Sequence, residues 1–268
     1  MFWSELTWEE LPECLAAARQ TAILPVGATE QHGPHLGCGM DAMLAEKLCR
    51  AAAEATGVPM LPTLSYGCSI GHSQQWPGTL ALQPTLMIEL VRQIGDWAYH
   101  SGVRRLFIVN AHVGNAAPLR CALEMLRAEH DDLMVAVVHA GTLSPRVREF
   151  CFADAEDWHA NDAETSLMLA IAPAITRPGK FAEADDPDRA GGLVFAHPVN
   201  HTSRNGVTGY PSRASAAKGR DCFAWMLEDL LALIRRGQAE TPPLDRPYRS
   251  TAQALAANHE TAPPSFSR

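Results

Sequence analysis

The sequence predicts an α/β protein in which a mostly parallel sheet is covered by helices on both sides. Three observations carry this. Short apolar runs alternate along the chain with longer stretches of helical periodicity. The 268 residues, 47% hydrophobic and 19% charged, suit one large domain with a sizeable core. Each apolar run is followed by a polar cluster, which is where open parallel sheets bind their ligands.

Residues 4–20 read as a short helix with a Ser4/Thr7 start, and Ala22–Val26 as the first strand. From Asp41 to Thr56 the residues Leu44, Leu48, Ala52 and Ala55 recur at helical spacing, and Gly57 ends the helix. Val58–Leu64 reads as a second strand, made short or peripheral by Pro59 and Pro62. Pro84–Ser101 is an amphipathic helix with Leu86, Leu90, Ile94 and Trp97 in one stripe. Leu106–Val109 is the third strand, Asn115–His130 a helix, and Leu133–Val138 the fourth strand. Asp162–Ile171 and Ser212–Arg236 are helices, the latter with Phe223, Met226, Leu227, Leu230 and Ile234 on one face. The stretch 177–209 reads as loop, with a lid or an oligomer contact as its possible roles. The globular domain spans 1–236, and 237–268 is a Pro-rich polar tail.

A net charge of −8 with no long basic run argues against nucleic acid or an anionic membrane as partner. The seven cysteines are scattered without a Cys-x-x-Cys pair, which points to reduced thiols and a cytoplasmic home. No signal peptide is read at the start, and no apolar run approaches the ~20 residues of a membrane span.

The polar clusters carry the chemistry. Glu30, His32 and Asp41 lie in a Gly/Pro-rich loop after the first strand, and Glu30 and His32, two apart, point the same way in extended backbone. Asp41 opens a helix, where a carboxylate is favoured and where an N-cap is the plain alternative. The later clusters contribute His112, His159 and Glu164. Carboxylate and imidazole without thiolate suit zinc, manganese or iron with open positions. Three carboxylates and two imidazoles exceed one open tetrahedral site and match two divalent metal ions that share a bridging carboxylate and a bridging water, a nucleophile at neutral pH. His159 is free to protonate a leaving nitrogen. His35 reads as a structural neighbour of the site. His72, His197 and His201 read as ordinary structural histidines, though the last two lie in the 177–209 stretch.

The run Leu24-Pro25-Val26-Gly27-Ala28-Thr29-Glu30-Gln31-His32-Gly33-Pro34-His35-Leu36, followed by Asp41, resembles the signature of the creatininase (creatinine amidohydrolase) family. Further matches follow in order: Trp76-Pro77-Gly78-Thr79-Leu80, then Asn110-Ala111-His112-Val113-Gly114-Asn115, then His159-Ala160 with Glu164-Thr165-Ser166, then Gly206-Val207-Thr208-Gly209 leading to Ala214–Gly219. The resemblance covers roughly residues 5–236. It implies a three-layer α/β/α fold, a binuclear metal site with zinc first and manganese or iron as alternatives, hydrolysis of non-peptide C–N bonds, and a homohexamer. By position, Glu30, Asp41 and His112 would hold one metal, and His32, Asp41 and a further glutamate the other. Creatininase takes that last carboxylate from two residues after the loop histidine, which here is Gly114, so the ligand is assigned to Glu164. Residues 74–75 read Gln-Gln where the family often has Glu-His, and Tyr210 stands where Asp is frequent. Trp76, Ala111, Val113, Trp158 and Tyr210 are the substrate-pocket candidates.

The reading that follows is a metal-dependent amidohydrolase. A metal-bridging hydroxide attacks a lactam, cyclic amide or formamide, with His159 and Glu164 as catalytic residues and a small-molecule amide as partner. The alternatives are a peptidase trimming a modified precursor peptide of the mycofactocin type, and a non-catalytic metal- or ligand-binding assembly protein.

Overall fold

A computed structural model describes residues 1–72, 74–244 and 246. Three strands, β1 (Thr21–Val26), β2 (Arg105–Asn110) and β3 (Met134–His139), form a parallel sheet in the order β1-β2-β3. The register aligns Val26, Asn110 and His139, so all three strands end at one edge.

The helices are α1 (Leu11–Ala17), α2 (Met40–Thr56), α3 (Pro84–His100), α4 (Ala116–Glu129), α5 (Pro145–Cys151), α6 (Asp162–Ile171), α7 (Phe181–Ala184), α8 (Val199–Thr202) and α9 (Ala216–Ala239). Alternate residues of each strand feed two cores. Ile23, Phe107 and Val109 pack with Leu44 and Leu48 of α2, Leu167 of α6, and Met226, Leu230 and Ile234 of α9. Leu24, Leu106 and Ile108 pack with Met87 and Val91 of α3 and with Leu119 and Leu126 of α4. The result is the expected α/β fold, its parallel sheet layered between two sets of helices. Each fully buried Leu or Ile contributes about 1.5–3 kcal/mol relative to exposure, so both faces of the sheet stabilise it.

Several elements differ from expectation. The 58–64 run is not a ladder strand. It follows β1 through Ile23 N–H to Pro59 C=O and Leu61 N–H to Ile23 C=O, and Pro59 and Pro62 have no N–H to extend the pairing. The first helix begins only at Leu11, next to Pro12, because Glu10 accepts hydrogen bonds from Thr7 and closes a turn ahead of it. On α3 the buried face is Met87, Val91 and Ala98, while Leu86 and Trp97 are 55% and 73% exposed. The helix is therefore rotated by about one residue from the face read in the sequence. α9 runs on to Ala239, three residues past the helix end read in the sequence. Apart from residues 240–244 and 246, the tail expected after it lies outside the described residues.

Candidate metal centre

The carboxyl ends of the strands gather the six residues singled out in the sequence. After β1 the chain enters a loop in which Glu30 N–H donates to Cys38 C=O, and Glu30, His32 and Asp41 are all buried. Asp41 lies in the first turn of α2, whose N-cap is Gly39; its side chain makes no cap and is free for the site. After β2, Asn110 Oδ1 accepts from His112 N–H, and Asn110 Nδ2 donates to His112 C=O. Asn115 then clamps the turn: its Nδ2 donates to Gly27 C=O and Asn110 Oδ1, and its Oδ1 accepts from Cys68 N–H. Glu164 is the third residue of α6, after the Asn161 cap. It reaches back to accept from Ala160 N–H and is 1% exposed, so it is not the surface carboxylate that its helical position alone would allow. Ala160 holds a left-handed φ of 55°, a conformation that costs a non-glycine residue about 1–2 kcal/mol and concentrates at functional sites.

The distances form two groups that share one carboxylate. His112 Nδ1 lies 3.3 Å from Glu30 Oε1 and 3.4 Å from Asp41 Oδ2. His32 Nε2 lies 3.4 Å from Asp41 Oδ1 and 3.7 Å from Glu164 Oε2. Three described clusters here could hold a cation, Glu30/His32/Asp41, His32/His159/Glu164 and Glu30/His72/His159, with the ligand atoms of each within 4.8 Å of one another. The rings are set for this. His32 Nδ1 lies 3.2 Å from Glu30 C=O and His112 Nε2 3.1 Å from Cys68 C=O. A carbonyl can only accept, so each ring donates there and turns a lone pair toward the carboxylates, as metal-bound imidazoles do.

Electrostatics argue for a cation at this place. Burial works to lower His32, but Asp41, Glu164 and Glu30 push it up to about 10; His112, likewise buried, is raised by Glu30 and Asp41 to about 9. Burial, only partly offset by His32, pushes Glu164 up to about 8, and burial with Glu30 raises Asp41. Burial alone would raise Glu30, yet His112, His72 and His159 bring it well below the ordinary range. Glu30 Oε2, His32 Nε2 and Asp41 Oδ2 are buried without a hydrogen-bond partner. Each such orphan costs about 1–3 kcal/mol, and among the described residues no Lys or Arg lines the cavity. Divalent cations fit this donor set.

The cavity measures about 180 Å³ and includes Glu30, Asp41, His112, His159 and Glu164 in its wall. Of the pocket candidates, Val113 and Trp158 line it, whereas Trp76 lines the adjoining cleft with Ser69, Ile70 and Gln74. Ala111 does not: alternation along extended backbone turns it away from His112 into the core, where it is 1% exposed. Tyr210 does not either, since its ring lies beneath the Arg213 guanidinium at 4.0 Å. His72 is a site residue that the sequence reading missed, with Nε2 3.4 Å from Glu30 Oε2. Gln31 is another, bonded to His72 and His159. His35 Nε2 pairs with Thr165 Oγ1, and His197 reaches the cavity wall.

A family model described as creatinine amidohydrolase matches residues 4–234. The chain belongs to the creatininase family. Within that family it is 32% identical to the mycofactocin precursor peptide peptidase of Mycobacterium tuberculosis, over 83% of this chain and 87% of the relative. It is 33% identical to the creatinine amidohydrolase of Pseudomonas putida, over 91% and 98%. Among solved structures, a creatininase variant of the Zn-Zn type superposes with a TM-score of 0.79 at 27% identity, covering 89% of this chain and 98% of the other. A creatininase designated Mn does so with the same score and identity, covering 89% and 99%. This creatininase-family chain departs from the pattern at Gly114, where a Cβ would collide with the Cys68 carbonyl oxygen and the His112 ring. That position has no room for a carboxylate side chain.

Proposed function

We propose that this creatininase-family amidohydrolase cleaves a non-peptide C–N bond of a small lactam, cyclic amide or formamide at a two-metal centre. The observation that carries the reading is Asp41, whose two oxygens face two separate imidazoles that each have a further carboxylate. Glu30, Asp41 and His112 hold one divalent ion, and His32, Asp41 and Glu164 the other, zinc first with manganese or iron as alternatives. When bound, the ions supply Lewis acidity toward the carbonyl oxygen and a water nucleophile active at neutral pH. Trp158 and Val113 line the cavity. His159 presents an N–H at Nδ1, 3.5 Å from Glu30 Oε1, as a hydrogen-bond donor to the departing nitrogen, while the proton that the nitrogen gains comes from the attacking water. The protein works in the cytoplasm as a homo-oligomer, a hexamer by family resemblance, a reading supported by seven free thiols and the exposed apolar side of α3.

A second reading is a peptidase that trims a precursor peptide. Its support is the likeness to the mycobacterial peptidase and the adjoining cleft of about 430 Å³ lined by Ile70, Trp76 and Ala81, which is more space than a lactam ring requires. The test is a panel of lactams, cyclic ureas, formamides and short peptides given to the zinc- or manganese-loaded protein. Turnover of small cyclic or formyl amides supports the first reading. Turnover restricted to peptides overturns it in favour of the second.

A further inference from the structure

Gln31 sits between two imidazoles that face the candidate metal centre, and it is 4% exposed. Its amide orientation is fixed. Oε1 accepts from Gly33 N–H at 2.9 Å, and Nε2 donates to Gly206 C=O at 3.0 Å. A flipped amide would set oxygen against carbonyl oxygen and NH2 against N–H. The same Nε2 lies 3.0 Å from His159 Nε2 and 3.3 Å from His72 Nδ1. The NH2 has two protons and no lone pair to accept with: one goes to the Gly206 carbonyl, the other is shared between His159 Nε2 and His72 Nδ1, so neither ring nitrogen can point an N–H at it. The ring protons then sit on the opposite nitrogens. For His159 that is Nδ1, 3.5 Å from Glu30 Oε1; for His72 it is Nε2, 3.4 Å from Glu30 Oε2.

We propose that Gln31 is a positioning residue that locks His159 as the Nδ1–H tautomer and His72 as the Nε2–H tautomer. Both rings thereby offer N–H rather than a lone pair on the Glu30 side. Four imidazoles crowd this centre, and their remote partners sort them. Backbone carbonyls turn His32 and His112 into lone-pair donors toward a metal, whereas one amide turns His72 and His159 into proton-bearing rings that do not ligate it. The assignment gives the N–H-donor reading of His159 its structural cause and rests on that reading for its catalytic consequence.

The amide is itself held. Gly206 has a φ of +81°, and a Cβ there would run into the Gln31 side chain. The carbonyl that Gln31 needs is fixed by Ser203, whose Oγ accepts from Gly206 N–H and Val207 N–H and donates to Asp186. Asp186 in turn is paired with Arg189 at 2.6 Å. A continuous polar chain thus runs from the Arg189–Asp186 pair through Ser203, Gly206 and Gln31 to the two rings.

The experiment is 15N NMR of histidine ring nitrogens in the zinc-loaded, full-length protein, with signals assigned by single substitution of His72 and His159. Expected is an Nδ1–H pattern for His159 and an Nε2–H pattern for His72. In Gln31→Glu a carboxylate accepts a proton where the amide donated one, so His159 should convert to Nε2–H. kcat should then fall about 100-fold, the scale of a positioned proton donor, with KM and zinc content nearly unchanged. An Nε2–H pattern for His159 in the unaltered protein, or an unchanged His159 pattern in both Gln31→Glu and Gln31→Leu, overturns the assignment. Should the variants not fold, the spectrum of the unaltered protein decides alone. If the Nδ1–H pattern is found while His159→Ala keeps full turnover, the tautomer lock stands and only the donor reading of the preceding section falls.

Discussion

Asp41 Oδ1 lies 3.4 Å from Nε2 of His32, and this contact leaves the other oxygen of the same carboxylate, Oδ2, to face His112 at 3.4 Å. One side chain in the first turn of α2 therefore faces both imidazoles, and in the proposed ligation it belongs to two ligand groups. Asp41→Ala should remove both ions, because each group loses a carboxylate, whereas Glu164→Ala should remove only one. Elemental analysis of the purified variants measures this. Two ions retained in Asp41→Ala would show that the shared-carboxylate arrangement is wrong.

In the proposed ligation, metal and protons compete for the same atoms. In the metal-free protein His32 stands at about 10, His112 at about 9 and Glu164 at about 8, all above their unfolded values. A group raised on folding binds extra protons in the folded state, so its stabilisation is present at low pH and lost as pH rises through the folded value. For the carboxyl of Glu164 this appears as a cost that sets in above its unfolded value and is complete near pH 8. Between pH 7 and 9 all three act in one direction. His72, depressed to about 4 by burial, works in the opposite sense only below about pH 6.5. The melting temperature in chelator should therefore fall from pH 7 to 9. Metal affinity should rise over the same range, since the ligands must be deprotonated to bind. Calorimetry in two buffers of different ionisation enthalpy would detect the released protons. A melting temperature that rises over this window without metal would contradict the account.

His159 and the ligands separate in their consequences. His159→Ala should keep the metal content of the unaltered protein and lose turnover by about 100-fold or more. Metal analysis and activity on the same preparation give the answer, and full activity would remove His159 from the reaction.

Asn115 ties three segments that meet beneath the site, bonding Cys68 N–H, Gly27 C=O and Asn110 Oδ1. Asn115→Ala leaves buried partners unmatched at about 1–3 kcal/mol each. A loss of roughly 3 kcal/mol in denaturant unfolding is expected even in metal-free protein, where the loss cannot come from weakened ligation.

Much of this was legible in the sequence, and for a definable reason. Glu30, His112 and His159 follow strands or polar clusters whose place at the carboxyl edge is dictated by parallel topology. Their convergence could therefore be read without coordinates. Side-chain direction inside a loop could not. Gln31 and His72 are 41 residues apart and meet only through the folded 69–72 turn, and nothing local in either segment announces it. Ala111 and Tyr210 adjoin site motifs in sequence but face the core and Arg213. The apolar stripe of α3 was misread because Leu86 and Trp97 are as hydrophobic as the buried Met87 and Val91. Periodicity locates a face only to within about a residue when both sides carry apolar groups.

The replacement of one carboxylate position by another gives the sharpest test of the second metal group. Glu164 reaches His32 from α6, whereas the creatininase pattern places its carboxylate at the position of Gly114. Here the backbone at 114 is pressed against the Cys68 carbonyl and the His112 ring, so no side chain fits without moving one of them. Gly114→Glu in a Glu164→Ala background should therefore fail to restore the second ion, and should weaken the first by displacing His112. Metal stoichiometry of the single and double variants reads this directly. Two ions in the double variant would mean that the 112–115 turn yields more easily than its packing implies, and that Glu164 is replaceable rather than required.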